Sequence, residues 1–163
     1  MLALNSQLDD LIAQSEGRYL SSSELQGTKN YLQTVLERSK IYELLTDKSD
    51  ALVRLALKKF MAKHSDIMKK HGKRCYYDMT CVMRYMALSI LLDDEQFFKD
   101  SVSLWQTNIL SAYQKQNPCL VCYRCLQEVI NENLPIKITK YIDPYMQIML
   151  EALDLPPKPM SIA

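Results

Sequence analysis

The chain has 163 residues, a formal charge of +1 and 48% hydrophobic residues. It therefore fits one domain with its own core, and it carries no global charge that would draw it to nucleic acid or anionic membrane. No apolar run reaches the roughly eighteen residues of a membrane span, and the opening "MLALNSQLDD" lacks the basic flank and apolar core of a secretion signal, which predicts a cytosolic protein. Five cysteines, an odd number, argue against a disulfide framework and leave at least one thiol free.

Only three glycines and six prolines punctuate the chain, three of the prolines in the tail "LPPKPM". No segment alternates with a strand period, so an all-α fold is predicted. Leu4, Leu8, Leu11 and Ile12 fall at helical spacing and predict a short amphipathic helix ending near Gly17. Ser21 and Glu24 have the spacing of a capping box, so a second helix starts there. It carries Leu25, Leu32, Val35 and Leu36 on one stripe and runs to about Leu45. Ser49 or Asp50 caps a third helix, whose apolar side is Leu52, Leu55, Leu57, Phe60 and Met61. Between Arg54 and Arg74 eight lysines and arginines meet one acid, Asp66, and Gly72 breaks this basic stretch. From about Lys73 to Leu92 the residues Met79, Val82, Met83, Met86, Ile90 and Leu91 mark a long core helix. "LLDDE" ends it, and Glu95 to Lys115 form the next, with Phe97, Phe98, Val102, Trp105, Ile109 and Leu110. In "QNP", Asn117 is the N-cap and Pro118 the first turn of a helix ending near Asn133. The last helix carries Ile142, Met146, Met149, Leu150 and Leu153; Pro144 either kinks it or restarts it behind an Asp143 cap. The tail, about residues 155–163, reads as extended.

The stretch "RCYYDMTCVMRYMA", residues 74–87, places a cysteine, an aspartate and an arginine in the central helix. Cys75 and Asp78 are three residues apart, so they lie roughly 60° apart on one face, while Arg84 turns to roughly the opposite side. One ligand can touch the first two, and Arg84 serves another surface. The same residues also fit a plainer account: a small buried thiol, a charge complementing the start of a helix, and a snorkelling arginine.

Further motifs carry less. Cys119, Cys122 and Cys125 in "PCLVCYRC" step along one helix side and do not converge as tetrahedral ligands, so they read as core or interface thiols. His64 and His71 read as solvated histidines, and the basic stretch as a solvated face or a docking surface for an acidic partner. It has no interleaved aromatics, which argues against nucleic acid. There is no triad, phosphate loop or paired-carboxylate motif, so no enzyme activity is predicted.

The spacing of Cys75, Asp78, Met83 and Arg84 resembles the phycobiliprotein pattern of cysteine, any residue, arginine, aspartate, five residues, then leucine-arginine. "SEGRYLSSSELQ" resembles the matching stretch of phycocyanin and allophycocyanin chains, closest to the α type, and "YIDPYMQIMLEAL" resembles the family's last helix. The resemblance implies a globin-like fold with two additional N-terminal helices, so that residues 1–163 form one such domain and about 1–45 include a docking hairpin. It also implies a linear tetrapyrrole of phycocyanobilin type, joined by a thioether to Cys75. Asp78 would hold its pyrrole nitrogens, and Lys73 and Arg74 its propionates. Arg84, Arg18 and Tyr19 would face a phycobiliprotein-like partner subunit in a hetero- or homodimer, with phycobilisome linker or core proteins as further partners. The implied setting is light harvesting at the cytoplasmic face of the thylakoid membrane.

The chain departs from the pattern at four places. Tyr77 stands where the family has an arginine before the aspartate, Gln14 replaces an interface aspartate, and Leu88 replaces an interface tyrosine. The segment from Phe60 to Cys75 is several residues shorter than the family loop. These departures suit an alternative reading, a chromophore-free or transiently loaded paralogue that binds phycobilisome subunits in assembly, turnover or bilin handling.

Overall fold

The computed structural model describes residues 5–103 and 116–154, and among these every regular element is helical. Asn5 opens α1 (Ser6–Ser15) by accepting the Leu8 N–H at 3.1 Å. α1 ends where Glu16 and Gly17 adopt positive φ, of 47° and 80°. The expected capping box then starts α2 (Ser22–Lys63): Ser21 and Glu24 exchange side-chain to backbone hydrogen bonds.

α2 is one uninterrupted helix of 42 residues, about 63 Å long at 1.5 Å per residue. The expected break before Ser49 or Asp50 does not occur. Neither residue forbids a helix, and Asp50 is tied into the helix by Arg54 Nε at 2.8 Å. The buried residues of α2 begin at Arg38 and continue through Ile41, Leu45, Leu52, Val53, Ala56, Leu57 and Phe60. No residue of α2 before Arg38 is buried, and Leu25, Leu32 and Leu36 there are exposed. The two additional N-terminal helices are thus α1 and the first half of α2.

The chain reverses at His64 alone, whose ring stacks on Phe60 with centroids 4.7 Å apart. α3 (Ser65–Leu92) then runs through Gly72, which does not end a helix as expected. A single helical glycine costs only about 1 kcal/mol relative to alanine, which the core contacts further along outweigh. Those contacts come from Met79, Val82, Met83, Met86, Ala87 and Ile90, all buried.

Asp93 at φ 55° closes α3, and Asp94 caps the short α4 (Glu95–Phe98), which passes into a π-helical turn, Lys99–Ser103. The expected continuation through Trp105, Ile109 and Leu110 lies outside the described residues, as do Leu4 and the tail. α5 (Gln116–Asn133) contains Asn117 and Pro118 and ends at the expected Asn133. α6 (Ile136–Asp154) continues through the exposed Pro144 without restarting.

Two junctions set the packing. At the point where α2 enters the core, Glu37 turns outward to α6, accepting from Tyr141 Oη at 2.8 Å and from Lys137 Nζ at 2.6 Å. Arg38 turns inward and is 1% exposed. Its guanidinium donates to the carbonyls of Leu91 at the end of α3 and of Tyr31, and lies 4.4 Å from the centre of the Tyr31 ring. A cation at the negative end of the α3 dipole is well placed, and its neighbours replace the water it lost. The second junction joins α1 to the far end of α3. Asn5 donates to the carbonyls of Leu92 and Asp93 at 2.9 and 2.8 Å. Asp94 accepts Ser6 N–H at 2.8 Å and Ser6 Oγ at 2.6 Å while capping Phe97 N–H at 2.9 Å.

Candidate functional site

α3 carries the sequence-selected residues on two sides. Cys75 and Asp78 are both partly buried, and Cys75 packs against the core cluster. Arg84 is exposed and lines a cleft of about 620 Å³ between α2 and α3, together with Tyr42, Asp50, Tyr76, Cys81 and Leu88. Neither Cys75 nor Asp78 lines that cleft, so the division expected from helical angles is present.

The carboxylate of Asp78 has two unlike oxygens. Oδ2 accepts Arg74 Nε at 2.9 Å, one turn back on the same helix. Oδ1 is shielded from solvent and has no hydrogen-bond partner among the described residues. A buried acceptor left bare is costly and uncommon in a native fold, and it marks a place where a donor from outside the chain belongs. The N–H groups of a linear tetrapyrrole are donors of this kind, and Cys75 stands one turn away. A bare acceptor and a thiol one turn apart on one helix face fit such a group.

Cys75 is held in its neutral form. Burial, and after it the charge of Asp78, pushes its thiol above the ordinary cysteine range. The thiolate is the reactive form of a cysteine, so both effects lower the reactivity of Cys75. Of the two cations expected at the propionates, Lys73 is exposed with no ion pair among the described residues. Arg74 is engaged with Asp78, and its guanidinium sits 5.9 Å from the centre of the exposed Tyr77 ring. Tyr77 thus occupies the position of the absent arginine and flanks Arg74.

The other residues singled out fall elsewhere. Arg18 closes the turn between α1 and α2: it binds Glu24 through two nitrogens, at 3.0 and 2.8 Å, and donates to the Tyr19 carbonyl at 3.0 Å. This pair, with the Ser21 backbone N–H, holds the Glu24 carboxyl down at about 2. The Tyr19 side chain is 99% exposed beside it. Gln14 is exposed on α1, and Leu88 lies in the Arg84 cleft. Cys122 and Cys125 point into the core and Cys119 is partly buried; Cys122 Sγ contacts Met79 Sδ at 3.4 Å. Among the described residues no group of three or more histidines, cysteines and acids could hold a metal. His64 belongs to the α2–α3 corner, and His71 is exposed on α3.

Sequence reasoning missed Arg38, the Asp94 latch and the cluster in which Tyr76 Oη donates to Asp50 while Arg54 lies 4.9 Å from the Tyr76 ring centre. A signal existed for Arg38. It stands on the same helical stripe as Ile41, Leu45 and Leu52, where a charge has no reason to be unless it meets a partner inside.

Residues 11–153 match the family described as phycobilisome protein. The chain is also similar to allophycocyanin subunit alpha-B of Picosynechococcus sp., 26% identical over 152 residues that cover 88% of this chain and 94% of that one.

Proposed function

The chain belongs to the phycobilisome protein family, and from that premise we propose that it is a light-harvesting subunit carrying a linear tetrapyrrole on Cys75. The single observation that carries this reading is Asp78 Oδ1, a buried acceptor without a donor among the described residues, one turn from a partly accessible thiol. When bound, the pigment supplies absorption and energy transfer; the chain contributes position, rigidity and charge. Cys75 anchors, Asp78 accepts the pyrrole N–H groups through charge-assisted bonds, and Lys73 and Arg74 meet the propionates. The residues perform no reaction on a substrate, so the role is not enzymatic. Such subunits work beside the thylakoid membrane at its cytoplasmic face, and among the described residues no helix is long and apolar enough to cross one.

A partner phycobiliprotein subunit belongs to the same proposal. Ile12, Tyr19, Leu25, Leu32 and Leu36 are exposed on α1, its turn and the first half of α2, apolar side chains that none of the described residues covers. Arg84 in its cleft is a second candidate contact. Residues 1–163 then act as one domain, with about 1–45 providing the docking hairpin.

Co-expression with bilin synthesis and an attachment enzyme tests the reading, with zinc-induced fluorescence on a denaturing gel as readout. A pigmented wild-type band that disappears in Cys75→Ala is the expected result. A colourless wild-type chain, or pigment retained in Cys75→Ala, would sink it.

One observation favours the second reading, a chromophore-free paralogue that binds phycobilisome subunits: Arg74 already neutralises Asp78 in the free chain. On this reading pull-down with phycobilisome subunits yields a defined partner from colourless protein, and loss of that partner on Leu32→Glu locates the surface.

A further inference from the structure

The proposed pigment site contains a conflict that its own residues resolve. A carboxylate that is to stabilise a protonated tetrapyrrole should present its full charge, yet Asp78 is paired through Oδ2 with Arg74 at 2.9 Å. A guanidinium beside the carboxylate cancels much of the field that the carboxylate would exert on a bound cation. Arg74 is also the cation best placed, with Lys73, to meet a ligand carboxylate. It cannot give its full charge to both.

We infer that Arg74 is an exchangeable counter-ion, which leaves Asp78 for a carboxylate of the incoming ligand and so couples recognition of the ligand's acid group to release of Asp78. The inference rests on the tetrapyrrole reading above and adds a control to that site. Three observations carry it. The pair is weakly held, because Arg74 is 60% exposed and the two residues are four apart on one helix, a class of ion pair that contributes little. Asp78 is the less exposed member, at 26%, so the carboxylate is fixed and the guanidinium is the part that moves. Tyr77, three residues from Arg74 and 59% exposed, offers its ring face 5.9 Å from the guanidinium carbon, a platform beside Asp78 on which a cation can rest.

The exchange is a proton-neutral swap of partners: Arg74–Asp78 gives way to Arg74–ligand carboxylate, and Asp78 takes the ligand N–H groups with both oxygens. A ligand without acid groups has nothing to draw Arg74 away, and it meets a half-neutralised Asp78.

The full chain in a Cys75→Ala background, which keeps binding reversible, is titrated with biliverdin and with biliverdin dimethyl ester, whose two acid groups are blocked. Affinity and the ratio of red to near-ultraviolet absorption are both read. With Arg74 present, the diacid should bind about tenfold more tightly than the diester, the order expected of one charge-assisted contact, and show the higher ratio. In Arg74→Gln that preference should shrink towards unity, because the diester now binds better and with a stronger red band than it does to the Arg74 chain. Arg74→Lys should restore the preference in part. The improvement of the diester is the decisive sign, since an arginine that merely holds a propionate would leave the diester unchanged. Diester binding that is equal or weaker in Arg74→Gln overturns the exchange while leaving the pigment reading intact. No binding of either compound to either chain overturns both. Far-ultraviolet circular dichroism confirms that each variant is helical before it is titrated.

Discussion

Replacing Asp94 by alanine should release α1 from the rest of the molecule while the core stays folded. The carboxylate is 7% exposed and links three groups: Ser6 N–H and Ser6 Oγ on α1, and Phe97 N–H at the start of α4. A hydrogen bond to a charged group contributes about 1.5–3 kcal/mol and a helix cap about 1 kcal/mol. The two Ser6 bonds end on one oxygen and break together, so the loss falls at about 2–4 kcal/mol rather than at the full sum. By hydrogen exchange, the amides of α1 should lose protection by a factor of about 30 or more, whereas those of Val82–Ile90 on α3 change far less. Asp94→Asn keeps an acceptor but not the charge and should fall between. The same latch gives a pH dependence. Burial raises the Asp94 carboxyl, but the hydrogen bonds from Ser6, Phe97 and Gln96 outweigh it and hold the folded-state value below the ordinary 3.8. The ionised latch is therefore fully present above about pH 4, and α1 protection declines as pH falls through the lowered folded-state value. Unchanged α1 exchange in Asp94→Ala, or an equal loss across every helix, would refute the assignment of Asp94 as a local latch.

Arg38→Met removes a buried cation and takes the donor from the Leu91 carbonyl, whereas the Tyr31 carbonyl keeps Thr34 Oγ1 at 3.3 Å, so stability should drop by about 1–3 kcal/mol; an unshifted urea midpoint would show that the Leu91 carbonyl finds another donor. Gly72→Ala adds a methyl 3.2 Å from the flexible end of Met68 in a helix interior, and a gain of up to about 1 kcal/mol in thermal unfolding is expected. Destabilisation would mean that Met68 cannot give way. With iodoacetamide at pH 8, Cys122 should stay unmodified until the chain is unfolded, because burial first and the neighbouring thiols second push its thiol far up. In Asp78→Asn, Cys75 should react faster than in the wild type but by less than about tenfold, since burial, the larger cause of its raised value, remains. A slower reaction would reverse the sign assigned to Asp78.

Helix existence was legible in the sequence and helix continuity was not. Apolar periodicity located the buried faces of α3 and α6 but only part of that of α2, where Leu52, Leu57 and Phe60 are buried while Leu25, Leu32, Leu36, Leu55 and Met61 are exposed; cap chemistry located Ser21, where both halves of the box form. By local chemistry Ser49 or Asp50 reads as the cap of a new helix and Gly72 as a break. The contacts that carry the chain through them, such as Arg54 and Tyr76 on Asp50, come from residues one turn away or on the neighbouring helix. The true reversal, His64, offers no glycine or proline. Its ring stacks on Phe60 one turn back, a contact that no cap or breaker pattern in the sequence announces.

The same division runs through the site. Spacing alone puts Cys75 and Asp78 on one face and Arg84 on another, since that follows from the helix turn. Which cation serves Asp78 did not follow, because spacing allows a partner at several positions and geometry selects one. A reading by aligned position sees Tyr77 as the loss of a positive charge beside the carboxylate. In the folded chain Arg74 Nε stands 2.9 Å from Asp78 Oδ2, so the charge is present, supplied from the preceding turn. The substitution moves the cation from the residue adjacent to the aspartate to one that can also swing towards a ligand acid group. What distinguishes this chain from the pattern it resembles is thus less the number of charges near Cys75 than the freedom of the one that guards Asp78.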